Sequence, residues 1–141
     1  IDYNNLPWKG PSIWWVNQVN QNIQRVEENV RTVNLITPIK KDLSWNGNAF
    51  NSKGSWNFYY KEIEVPFLEF DNTITVVQRE IPTNLIEYQY YEQRFAFNVG
   101  LIYFEYTDVE SQDTENPLPV QERAEKGVKY KQVLIDFFIP E

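Results

Sequence analysis

Residues 16–33 read VNQVNQNIQRVEENVRTV, and the fold of the chain turns on how this stretch is taken. Its apolar residues Val16, Val19, Ile23, Val26, Val30 and Val33 follow one another in steps of 3, 4, 3, 4 and 3, with Asn, Gln, Arg and Glu filling most of the gaps. Such steps hold one stripe on a helix of 3.6 residues per turn. Pro11, just upstream, suits a first helical position, because the N–H it lacks would have no intrahelical partner there. The spacing therefore predicts an amphipathic helix over about 11–33. The stripe has two possible uses. It lies on a β-sheet, or it forms a coiled-coil seam, where β-branched residues at every a and d position lean toward three or more strands. The flanking heptad positions are mainly Asn, with Glu27 the only charge, so the charged pairs that fix coiled-coil partners are missing and a helix on a sheet is favoured.

Upstream, residues 1–10 set Asn4-Asn5, Pro7 and Gly10 around isolated apolar residues, the composition of an extended arm. Downstream, Pro38, Asn46-Gly47 and Gly54 break the chain, and the residues between them are β-branched or aromatic. Strands are expected near 34–37, 43–45, 55–65, 73–79, 85–97, 101–107 and 128–139, with hairpin connections at Asp71-Asn72 and Asn98-Val99-Gly100. Along 55–65 the alternation puts Trp56, Phe58 and Tyr60 on one face and Ile63 and Val65 on the other, which requires a bulge or a change of sheet. Along 129–139, Val133, Ile135, Phe137 and Ile139 share one face while Leu134 and Phe138 take the other, the pattern of a central strand covered on both sides. One or two helical turns are expected over 120–126, stopped by Gly127. The expected fold is mostly β: an antiparallel β-sandwich or bent sheet with one N-terminal amphipathic α-helix, residues 1–10 forming an arm and 11–141 a single domain. The alternative is an α+β domain with the helix across a single antiparallel sheet.

Composition narrows the function. The chain of 141 residues has no Cys and no His, which removes disulfides, thiolate chemistry and the commonest general acid/base and metal ligand. Its net charge of −7 comes without a clustered basic face, so nucleic acid is not an expected partner. With five Gly and no GxGxxG or GxxxxGK arrangement, no cofactor is expected either. No apolar run is long enough for a membrane-spanning helix, and the chain reads as soluble; its place is left open by the sequence, an extracellular one or one in a virion being compatible with it. It starts at Ile1 and contains no Met, as expected of a processed product or of part of something longer.

Three groups of side chains could carry chemistry. Asp108, Glu110, Asp113 and Glu115 gather carboxylates that could hold a hard cation, but without EF-hand spacing or its Gly they read better as a solvated loop. Glu62 and Glu64, with Glu69 and Asp71 beyond, would point the same way on a regular strand and could serve carboxylate hydrolysis; their alternation with Ile63 and Val65 equally describes a solvent face. Ser52-Lys53 sits in a polar turn and carries little information. The aromatic load of Trp8, Trp14, Trp15, Trp45 and Trp56, with many Tyr, exceeds what the visible core stripes need, so interface or ligand contacts are expected of these Trp residues. Neighbours on a helix cannot both face one core, so one of Trp14 and Trp15 should reach a partner. The function expected is that of a non-catalytic assembly component, such as a viral or phage particle subunit or a surface-fibre subunit in a homo- or hetero-oligomer. Its arm and the 108–119 loop would make the contacts. A carbohydrate-binding or adhesin-like module using Trp45 and Trp56 on a glycan is the alternative, and a small carboxylate hydrolase comes last.

Overall fold

The computed structural model describes residues 14–81 and 84–141, so the expected arm, Trp8 and Pro11 lie outside the described residues. The described chain is almost entirely antiparallel sheet. Strands β1 (Trp14–Val19), β2 (Asn22–Glu27) and β3 (Val30–Ile36) form a three-stranded sheet in that order. β4 (Ser44–Asn46), β5 (Asn57–Phe67), β6 (Phe70–Ile81), β7 (Glu87–Ala96), β8 (Gly100–Glu110) and β9 (Lys126–Val133) form a six-stranded sheet, again in chain order. The only helix among the described residues is the single turn α1 (Val120–Arg123) between β8 and β9.

The N-terminal helix is thus replaced by a β-meander, and with it go the coiled-coil seam and the α+β alternative. Two-residue turns make the difference. Val19 pairs with Asn22, and Glu27 with Val30, so the chain reverses at Asn20-Gln21 and at Glu28-Asn29. Asn20 sits at φ 53, and Glu28 and Asn29 at φ 48 and 65; two successive left-handed residues are what a type I′ hairpin turn demands. Each turn resets the side-chain alternation. Three short strands of period two therefore reproduce, by coincidence of spacing, the 3-4 steps of a helix. The β-branched residues that weaken a helix fit the pleat.

Elsewhere the strand positions follow the sequence more closely. β5 carries register shifts against β6 between Tyr60 and Phe67, with Glu64 at φ 54, the irregularity that its apolar pattern requires. The hairpin joining β5 to β6 turns at Leu68-Glu69, with Phe67 paired to Phe70, and not at Asp71-Asn72. The β7–β8 connection turns through Asn98, at φ 60, into Gly100, where φ 106 favours glycine. The expected central strand at 128–139 is instead the edge: β9 pairs with β8 alone, every residue in it is exposed, and it ends at Val133. Beyond it Ile135 and Phe138 are 98% and 85% exposed. Strands buried on both faces are instead β6, where adjacent Val76 and Val77 are both fully buried, and β7, where adjacent Glu92 and Gln93 are buried.

The core lies between the sheets. Leu35 of β3 meets Phe58, Tyr60 and Val76 of the large sheet, with Ile23, Ile36, Trp45, Ile74 and Phe95 around them. Hydrogen bonds tie β3 to the large sheet. The Tyr60 hydroxyl donates to Ile36 O at 2.6 Å and accepts from Ile36 N–H at 3.0 Å. Trp45 Nε1–H donates to Val33 O at 2.8 Å, and Val33 N–H to Gly47 O at 2.8 Å.

Candidate functional site

The small sheet covers only part of the large sheet's inner face. Among the described residues, the core cluster it builds reaches Phe95 on β7 and includes no residue of β8 or β9. The registers place Tyr91 opposite Tyr106 and Tyr106 opposite Tyr130, while Phe104 stands beside Gln132. Alternate residues share a face, so these side chains line the uncovered half together. They form a continuous ring row: Trp56 to Tyr91 at 5.5 Å, Tyr91 to Tyr106 at 5.3 Å, Tyr106 to Tyr130 at 5.6 Å and Phe104 to Tyr106 at 5.8 Å. Of this row Tyr91, Phe104 and Tyr106, together with Asp108, Glu110, Lys126, Gly127 and Val128, line a cleft of about 580 Å³. Asp108 accepts hydrogen bonds from the Tyr91 hydroxyl at 3.1 Å and from Gln89 Nε2 at 3.2 Å. Burial, and then the adjacent Asp108 charge, push the Tyr91 hydroxyl up to about 12.

The opposite face of the same strands is a lattice of tyrosines and carboxylates. Glu92, only 3% exposed, accepts from Arg94 Nε at 2.6 Å and from the Tyr90 hydroxyl, and Arg94 reaches Glu62 at 3.8 Å. Tyr59 donates to Glu80 at 2.8 Å and Tyr103 to Glu105 at 2.7 Å. Burial first, then these carboxylates, raise the hydroxyl pKa of Tyr90 and Tyr103, and that of Tyr59 to about 12. These carboxylates meet Arg94 or tyrosine hydroxyls within the protein, which is how a stable polar face is built.

Of the residues singled out by sequence, several stand apart. Glu62 and Glu64 do not share a site: the irregular strand leaves Glu62 beside Arg94 and Thr75, while Glu64 lines an apolar recess with Ile23, Leu35 and Ile39. Asp108 and Glu110 lie on β8, whereas Asp113 and Glu115 lie in the loop beyond. Among the described residues no three such side chains come together to hold a metal ion. That loop is pinned by Arg123, which donates to Asp113 O, to Leu118 O at 2.8 Å and to Leu85 O at 2.6 Å. Trp45 packs into the core against Phe58 and Tyr60, and Trp56 carries the Arg79 guanidinium over its ring at 4.6 Å, so the two do not form one open platform. Tyr106, Phe104 and Tyr130 were missed by the sequence reading; their signal was the alternation Phe104-x-Tyr106-x-Asp108 on a strand beside Tyr130.

Trp14 and Trp15 are both exposed, on neighbouring positions of β1. The sheet edges differ in how they are protected. β9 carries Lys126, Lys129 and Lys131, and β4 is three residues long, two common ways of blunting an edge. β3 is covered by its bonds to Gly47, Trp45 and Tyr60, and by Asn51 Nδ2 donating to Arg31 O at 2.7 Å. β1, WWVNQV, has neither charge nor Pro, and Trp15 and Val16 on it are 66% and 68% exposed.

No helix among the described residues is long and apolar enough to cross a membrane. Comparison with protein families, with characterised proteins and with solved structures finds no significant match to this chain, so a functional reading has only its own geometry to stand on.

Proposed function

We propose that this chain is a non-catalytic assembly subunit that joins a neighbouring subunit by strand addition at β1. The observation that carries the reading is an edge that no other described residue pairs with: six residues without charge, exposing Trp14, Trp15, Val16 and Val19, bonded among the described residues to β2 alone. A strand laid there gains main-chain hydrogen bonds and covers alternate apolar side chains, the usual logic of β-augmentation. The apolar run after β9, with Ile135, Phe138 and Ile139 exposed, adds a second surface suited to protein contact. The expected arm at 1–10 lies outside the described residues and is not needed for this reading.

Light scattering on the wild-type chain and on Val16→Lys tests it. A discrete oligomer whose association weakens at least about tenfold when a charge is placed on the edge is the expected result, since burying an unpaired charge costs more than the apolar contact gains. A wild-type chain that stays monomeric at high concentration would rule the reading out.

A further inference from the structure

The aromatic cleft on β7–β9 is left unused by edge assembly, and its own chemistry selects a ligand. We propose that it binds an organic ammonium group of the trimethylammonium class, seated on Tyr91, Phe104 and Tyr106 beside Asp108. Its volume of about 580 Å³ falls inside the range of about 300–1,000 Å³ typical of small-molecule clefts.

Three observations converge on a cation. First, this protein lays its own cations over several of its aromatic faces: Arg25 over Trp14 at 4.8 Å, Lys61 over Tyr90 at 5.3 Å, Arg79 over Trp56 at 4.6 Å and Arg94 over Phe67 at 4.0 Å. Among the described residues no cation lies over Tyr91, Phe104 or Tyr106. A ring face is the negative end of the aromatic quadrupole, and an ammonium placed on it is attracted electrostatically.

Second, the cleft supplies a carboxylate with no direct ion pair among the described residues, Arg79 reaching it only through Gln89, to whose Oε1 it donates at 3.0 Å. Lys126, the only cation lining the cleft among the described residues, is drawn toward Glu110 at 3.9 Å, while Asp108 takes its hydrogen bonds from two neutral donors, Tyr91 and Gln89. Tyr91 stays protonated well into the alkaline range and so keeps donating to that carboxylate. The net charge of −7 adds attraction at longer range.

Third, the ring planes are tilted: Tyr91 to Tyr106 by 68° and Phe104 to Tyr106 by 37°. A sugar ring stacks best on one flat face, whereas a compact, nearly spherical cation can touch several inclined faces at once. The inference is independent of assembly at β1, because the cleft lies on the other sheet.

The test is a titration followed by amide chemical shifts, with choline, its uncharged carbon isostere 3,3-dimethylbutan-1-ol, and methyl glucoside as probes. Choline is expected to move the β8 and β9 amides around Phe104, Tyr106 and Val128, with an affinity about tenfold above that of the isostere. Asp108→Asn is expected to remove most of that preference. Lys126→Gln, which loses only the exposed ion pair with Glu110, is expected to strengthen choline binding. Equal binding of choline and the isostere would overturn the proposal, as would a preference for the glucoside, weaker choline binding in Lys126→Gln, or no saturable shift with choline up to roughly 50 mM, well beyond millimolar recognition.

Discussion

Replacing Tyr60 with Phe removes one oxygen atom, yet it should be among the more damaging conservative changes in this chain. Tyr60 is fully buried, and its hydroxyl both donates to Ile36 O at 2.6 Å and accepts from Ile36 N–H at 3.0 Å. The ring also fills the inter-sheet core beside Leu35 and Phe58. In the Phe variant the ring packing survives and two hydrogen bonds go. Each is worth about 0.5–1.5 kcal/mol net, and the backbone groups left behind on half-buried Ile36 put the loss in the upper part of the summed range, at about 2–3 kcal/mol. At a urea dependence of about 2 kcal/mol per M, the unfolding midpoint falls by about 1 M or slightly more. Tyr59→Phe is the control: the same chemistry on the adjacent residue and the opposite face, where the lost bond to Glu80 is exposed. It should change stability by less than about 0.5 kcal/mol. Urea denaturation of the two variants, followed by tryptophan fluorescence and far-UV circular dichroism, reads both. The reasoning fails if Tyr60→Phe unfolds at the wild-type midpoint, or if Tyr59→Phe is the more damaging of the pair, because Ile36 would then not be held against the large sheet.

Two further outcomes follow from particular contacts. Gly47→Ala would place a methyl group into the ring of Phe58, itself buried in the core, so a destabilisation of about 2–3 kcal/mol is expected from overpacking, visible as a lower urea midpoint. At alkaline pH the tyrosines set the limit. Tyr59 and Tyr91 ionise at about 12 in the folded chain against about 10 when unfolded, so their contribution is intact below pH 10 and is lost as pH rises toward 12. Urea midpoints should be level from pH 7 to 9 and fall between pH 10 and 12, in step with tyrosinate absorbance; a midpoint that rises over that window would contradict the assignment.

How far the sequence discloses this structure depends on the segment. Residues 55–110 are legible because their strands are long and rich in β-branched and aromatic residues, and the bulge in β5 is visible in the switch of face between Tyr60 and Ile63. Residues 14–36 are misleading for a physical reason. Their turns use Asn20-Gln21 and Glu28-Asn29 in place of Asn-Gly, and strands of six or seven residues separated by two-residue turns imitate helical spacing. The edge position of β9 could not be read from apolar alternation after Val133, which says that side chains need cover but not whether this chain supplies it; Lys126, Lys129 and Lys131 were the better guide. For the candidate surfaces, sequence analysis picks out Trp14 and Trp15 as contact residues but assigns them to a helix. It misses the ring row on β7–β9, because Tyr91, Tyr106 and Tyr130 come together only through sheet register.

Hydrogen–deuterium exchange of the β1 amides as a function of protein concentration tests assembly at this edge most directly. In an antiparallel pair, alternate amides bond the partner strand and the others point outward. The account predicts that the outward-pointing amides within Trp14–Val19 exchange rapidly in dilute solution and become protected as concentration rises, while the amides of β9 do not change. Outward β1 amides that exchange rapidly at every concentration, or protection that grows on β9 and not on β1, would contradict it.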